Sequence, residues 1–177
     1  MKKALGSFLL ILVLIFSLSF NAFAASTSFT IDNDTIDSTC KTMRDGFSIY
    51  ATGKSQYNGD CRRESISSKT AWYSWTCSSK MLRSSNPIKL TAGIYLNNVK
   101  FTDPQARYYV EQRDGGYFIG TINQNTARAG WSYLSYTINK NNNTPGSYSV
   151  EGLMVEPSGL NMSGYTGADA ISINATT

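Results

Sequence analysis

Short runs of alternating polarity, cut about every ten residues by Asn, Asp, Gly or Pro, fill almost the whole chain, and this rhythm narrows the fold more than any other feature. In residues 130–138, G-W-S-Y-L-S-Y-T-I, the side chains of Trp131, Tyr133, Ser135 and Thr137 alternate with Ser132, Leu134, Tyr136 and Ile138. A period of two marks a strand with one face buried. Similar runs at 28–32, 47–52, 71–76, 88–101, 107–112, 117–123, 148–155 and 168–173 predict further short strands. Between them lie turn signals such as Asn58-Gly59, Asp103-Pro104, Asp114-Gly115-Gly116, Asn123-Gln124-Asn125 and Pro157-Ser158-Gly159. Residues 78–87, with Lys80 and Arg83, read as an exposed polar loop. No helical period and no internal repeat follows residue 24, so the expected fold class is all-β, a sandwich or barrel and neither a propeller nor a solenoid.

Residues 1–24 read as an export signal: Lys2 and Lys3, an apolar run over 8–20, then Ala22 and Ala24 spaced as a cleavage site. The apolar run falls short of the roughly 20 residues of a spanning helix. No later stretch suits a membrane, no Cys follows the cleavage site, and the C-terminal residues lack an apolar sorting tail. The expectation is a secreted chain, Ala25 to Thr177, forming one domain with no membrane partner after cleavage. The 16 basic and 12 acidic residues become 14 and 12 without Lys2 and Lys3, a net charge of +2. Basic residues are scattered singly apart from Arg62-Arg63, which speaks against a nucleic-acid partner.

Cys40, Cys61 and Cys77 are the three cysteines. In an oxidising compartment two of them pair and one is left over, with all three pairings open. The sequence contains no histidine, which removes Ser-His-Asp and Cys-His catalysis and, with no C-x-x-C pair, makes zinc unexpected. Carboxylate chemistry survives. A glycoside hydrolase needs only two carboxylates, and Asp60, Glu64, Glu111 and Glu151 are the candidates, although their spacing places no two of them at one cleft.

The triplet Asp32-Asn33-Asp34 admits two readings. Asp and Asn build turns by bonding nearby backbone, and clustered oxygens also suit a hard cation such as calcium, here without the EF-hand pattern. In residues 71–76, Trp72, Ser74 and Thr76 share one face and Tyr73 and Trp75 the other, and one of these faces must be core. The chain carries 11 Tyr and 3 Trp, more than a core of this size requires. Aromatic faces flanked by amides and carboxylates are what a sugar ring binds.

The ordered motifs Ile31-Asp32-Asn33-Asp34, Tyr57-Asn58-Gly59-Asp60-Cys61-Arg62, Ala71-Trp72-Tyr73-Ser74-Trp75, Ala106-Arg107-Tyr108-Tyr109-Val110, Asn123-Gln124-Asn125, Gly130-Trp131-Ser132-Tyr133-Leu134 and Ala168-Asp169-Ala170-Ile171 resemble the golvesin C-terminal-like domain. That family is also described as similar to the carbohydrate-binding domain of xanthan lyase. Residues 78–88 and the cysteines fall outside its pattern. The resemblance implies a jelly-roll-like, galactose-binding-like β-sandwich outside the cell, with Trp131 recurring as a core position. In such a layout Tyr73, Tyr108, Tyr117, Asn123, Gln124 and Trp131 are the candidate glycan-binding residues, and Tyr57, Tyr109, Tyr133 and Tyr165 are further aromatics in reach. First and last strands of such sandwiches pair, which brings Asp32 and Asp34 towards Asp169. These three are the candidate ligands of a structural calcium ion, with Arg62 or Arg63 as the competing partner. No cofactor is required. The function expected is a secreted, non-catalytic module for a polysaccharide or other cell-envelope polymer. The alternatives are a matrix or protein-interaction role without glycan binding, and the carboxylate-dependent glycosidase.

Overall fold

The computed structural model describes residues 24–54, 56–96, 101–113, 115–139 and 147–177. The expected export signal lies, but for its last residue, outside the described residues. Fourteen strands occur among the described residues. In the first half they are β1 (Ser26–Ile31), β2 (Cys40–Asp45), β3 (Ile49–Thr52), β4 (Asp60–Ser65), β5 (Trp72–Cys77), β6 (Leu82–Ser84) and β7 (Ile88–Leu96). The second half adds β8 (Ala106–Gln112), β9 (Gly115–Ile122), β10 (Gly130–Ile138), β11 (Tyr148–Val150), β12 (Gly152–Glu156), β13 (Tyr165–Ala168) and β14 (Ile171–Thr176).

Two antiparallel sheets carry the core: a four-stranded one in the order β1-β14-β7-β10 and a five-stranded one in the order β2-β5-β12-β8-β9. From the first sheet Ile31, Leu90, Ala92, Ile94, Leu96, Ile138, Ile171 and Ile173 point inward. From the second, Tyr73, Trp75, Cys77, Tyr108, Val110, Ile119, Leu153 and Val155 meet them in one buried cluster. Each large apolar side chain so buried contributes roughly 1.5–3 kcal/mol, and the alternation seen in the sequence is the print of these two inward faces. The chain is thus an all-β sandwich.

Smaller sheets close the ends. A three-stranded one, in the order β13-β4-β3, brings Ala168 opposite Arg62 and Tyr50 opposite Arg62. A two-stranded one pairs β11 with β6 near the start of β1, where Thr27 donates a 2.7 Å hydrogen bond to the Lys80 carbonyl. Cys40 and Cys77 lie opposite each other on β2 and β5 and form a disulfide, and Cys61 is the free, buried thiol.

Two of the strands the rhythm missed, β2 and β4, bury little. In β2 no residue is fully buried, and in β4 Cys61 alone is, so neither shows an apolar alternation. The expected loop at 78–87 contains β6, whose Leu82 reaches the core. The expected strand at 168–173 is two strands belonging to different sheets, and Asp169 sits in the step between them.

Candidate functional site

Three connections meet at one end of the sandwich: the Asp32-Asn33-Asp34 turn after β1, the helical turn Tyr57–Gly59 before β4, and the Asp169-Ala170 step between β13 and β14. The pairing of Ile31 with Ile171, and of Ile171 with Ile94, fixes their approach. Asp32 takes hydrogen bonds from the Asn33 N–H at 2.8 Å and from Asn58 Nδ2 at 2.7 Å. Asn58 makes its bond from a left-handed backbone (φ 48°) that Asn tolerates better than most residues. Asp169 Oδ2 accepts from the Tyr57 N–H at 3.1 Å, its carbonyl accepts from Trp75 Nε1 at 3.1 Å, and the neighbouring Ala170 carbonyl accepts from the Tyr95 N–H at 2.8 Å.

This anchoring turns Tyr57 towards the outer face of the four-stranded sheet. There it meets Tyr95 and Trp131, which are paired across β7 and β10, and the three rings close an edge-to-face triangle with centroid separations of 5.4, 5.7 and 5.3 Å. Such contacts add about 0.5–1.5 kcal/mol per pair beyond area burial. One step along β10, Tyr133 is 63% exposed. It lies opposite Gly93, and a Cβ added there would stand 3.1 Å from Tyr133 and 3.2 Å from Trp131, so both rings lean over the glycine. Beyond the rings the same face offers hydroxyls and amides in register: Ser135, Thr91, Asn174 and Ser28 form one cross-strand row. A groove of about 330 Å³ runs on between Lys89, Thr91, Ser135 and Thr137.

Beneath this face the charge is unusual. Burial, chiefly, pushes the Asp169 carboxyl up to about 8, with Asp32 and Asp60 adding to the rise and the Tyr57 N–H opposing it. Asp32 moves in the same direction for the same leading reason. Burial also pushes the Cys61 thiol up to about 12, which leaves it unreactive. Asp32 lies close enough to Asp169 for their charges to interact, and the exposed Asp34 acts in turn on Asp32. Among the described residues no group of three or more His, Cys, Asp or Glu side chains is placed to hold a metal ion.

The remaining candidates divide by burial. Tyr108 is wholly buried and Gln124 with it: Gln124 Nε2 donates to the Tyr108 hydroxyl at 2.7 Å and to the Gly167 carbonyl at 3.0 Å, and its Oε1 accepts from the Gly167 N–H. Neither has a surface to offer a sugar, and together they join β8, β13 and the turn between β9 and β10. The Tyr73 ring is core as well, packed on Phe47 and Trp75, and its hydroxyl donates to the Asn33 carbonyl. Tyr117 is half-buried against the core. Asn123 is exposed but builds its turn, accepting from the Thr126 N–H at 3.1 Å. Trp131, expected in the core, lies on the outer face. The residue that sequence reasoning overlooked is Tyr95, hidden in a run read only as apolar. Its signal was parity, since Ile94 and Leu96 must face inward and Tyr95 therefore outward.

Of the carboxylates considered for catalysis, Asp60 spends both oxygens on Asn33 and Tyr50, and Glu64 spends both on the N–H groups of Phe47 and Ser65. Glu111 is pushed up first by burial and then by Glu151, with the Ser74 hydroxyl opposing the rise.

No family model matches the chain, and no curated protein does. Among solved structures it is similar to a cleaved adhesin domain of Lys-gingipain from Porphyromonas gingivalis, with a TM-score of 0.45, 13% identity, and coverage of 85% of this chain and 96% of that one. It is also similar to a point mutant of the family 29 carbohydrate-binding module CBM29-2, with a TM-score of 0.42, 13% identity, and coverage of 86% and 91%.

Proposed function

We propose that this chain is a secreted, non-catalytic β-sandwich module of the golvesin-like type that binds a glycan or another cell-envelope polymer along the outer face of its four-stranded sheet. The observation that carries the reading is the set of Tyr57, Tyr95 and Trp131 rings with exposed Tyr133 beside them, continued by a groove lined with hydroxyls. Flat aromatic faces stack on the apolar side of a sugar ring, and Thr91, Ser135 and Asn174 supply donors and acceptors for its hydroxyls. A polymer laid along β7 and β10 meets the rings first and the polar rows after them.

Retention of the chain from Ala25 on a panel of insoluble and immobilised polysaccharides tests this. Trp131→Ala and Tyr133→Ala are expected to weaken retention of the bound polymer by roughly tenfold or more while leaving the fold intact, as aromatic anchors at a binding face do. Failure to bind any polymer, or equal binding by both variants, overturns the reading. Loss of glycan binding would turn attention to the opposite sheet, where Met43 (40% exposed), Met154, Tyr109 and Phe118 (51% exposed) share one face and favour a protein partner. Release of reducing ends from a polymer, abolished by Glu111→Gln, would establish the glycosidase instead.

A further inference from the structure

Beside the Asp32-Asn33-Asp34 turn opens a cavity of about 210 Å³, lined by Asn33, Asp34, Ile36, Thr42, Met43, Arg44, Arg62 and Tyr73. It is smaller than the roughly 300–1,000 Å³ of a pocket for a drug-sized ligand, which suits it to a single sugar residue. Its floor is rigid: the Asn33 carbonyl accepts hydrogen bonds from both the Tyr73 hydroxyl and Thr42 Oγ1.

Two buried polar atoms in this lining are left without partners. Asn33 is 2% exposed; its Nδ2 donates to Asp60 Oδ1 at 2.5 Å, yet its Oδ1 accepts nothing. Arg62 stacks its guanidinium 4.6 Å above the Tyr50 ring, but its buried Nε–H has no acceptor. Among the described residues neither Arg62 nor Arg44 forms an ion pair, and the bond Arg44 makes is a long one, 3.4 Å from Nη1 to the Phe47 carbonyl. Of the two acids two residues from Arg62 in sequence, Asp60 has its oxygens engaged by Asn33 and Tyr50, and Glu64 by the Phe47 and Ser65 N–H groups. A buried polar atom without a partner destabilises the fold, and here a donor and an acceptor are left open in one small space.

We propose that this cavity is a subsite for a carboxylated sugar, a hexuronic-acid residue of the bound polymer. Arg62 and Arg44 take the carboxylate, for which a guanidinium is the geometric match. Asn33 Oδ1 and the Asp34 carboxylate accept from ring hydroxyls, and Ile36 walls the less polar side. Two guanidinium groups and one carboxylate belong to the lining, with the Asp60 carboxylate held behind it by Asn33 and Tyr50. This deepens the proposed function and rests on it for the idea that the ligand is a polysaccharide.

Calorimetric titration of the chain from Ala25 with an oligogalacturonate and with its neutral galactose counterpart tests the subsite. The uronate is expected to bind at least roughly tenfold more tightly, with the advantage shrinking as salt is raised. Arg62→Gln and the more exposed Arg44→Gln, which spares the packing on Tyr50, should each erase that advantage, whereas Trp131→Ala should weaken both ligands alike. Equal affinity for the two oligosaccharides, an unchanged preference in both arginine variants, or no binding of either one overturns the subsite. If the subsite fails while the chain still holds a neutral polymer through Trp131, the function proposed above stands. If uronate binds and loses its advantage in the arginine variants while Trp131→Ala changes nothing, the aromatic face fails and the cavity stands.

Discussion

Asp169 is 1% exposed, lies near Asp32 and Asp60, and has one carboxyl oxygen without a partner. Each condition disfavours the charged form. In the unfolded chain the proton leaves near the ordinary value of 3.8, whereas in the fold it stays on up to about 8. Between those limits the folded state holds more protons than the unfolded one, so stability is full below the lower limit and declines as pH rises towards the upper. Asp32 shifts in the same direction and adds to the decline. Urea unfolding at pH 5, 6.5 and 8 should therefore show a falling midpoint, with a total loss on the order of a few kcal/mol. Asp169→Asn keeps an acceptor for the Tyr57 N–H, and it should flatten that slope and raise the midpoint at pH 8. An unchanged slope in the variant would show that the residue does not govern the effect. The sequence marked Asp169 as a charge in want of a partner. It gave no sign that the answer is a proton, because that depends on how deeply three separate loops bury it.

At the scale of elements, legibility followed burial. The strand β10 was plain, since its inward and outward sets differ in character along nine residues. The polar strands β2 and β4 were not, because strands that bury almost nothing print no pattern on the sequence. Tyr108 and Tyr109 illustrate the difficulty within a strand. They are chemically identical neighbours, yet one is core and the other surface, and only the parity shared by Ala106, Tyr108 and Val110 distinguishes them. Glycines are the converse case, where a small residue records a contact that no periodicity shows. At Gly152 on β12, an added Cβ would stand 1.8 Å from the Trp75 carbonyl oxygen on β5 and 2.9 Å from the Thr76 Cα. Backbone cannot swing aside as a side chain does. Gly152→Ala should cost at least about 1–3 kcal/mol by overpacking, read as a lowered denaturation midpoint, while Gly59→Ala, with nothing within 4 Å of the new methyl, should meet no steric clash and cost only its left-handed backbone (φ 98°).

Across the whole molecule the disulfide joins the edge strand β2 to its neighbour β5, closing a loop between residues 37 apart in sequence. Its reduction should lower stability by about 2–4 kcal/mol, chiefly by freeing the unfolded chain, and denaturant titration with and without a reductant measures this. An unchanged midpoint would mean that the strand pairing alone holds that edge. The pairing of β1 with β14 has a further consequence. The Ala25 N–H donates to Thr177 Oγ1, and the Thr177 N–H donates to the Ala25 carbonyl, both at 3.0 Å, so these two residues leave the sheet side by side. They do so at the row of Lys89 and Thr137, whereas the aromatic triangle crowns the opposite end of the same strands. A bead, a surface or a second protein attached at either of these residues therefore holds the molecule like a torch by its handle, with the rings facing outward.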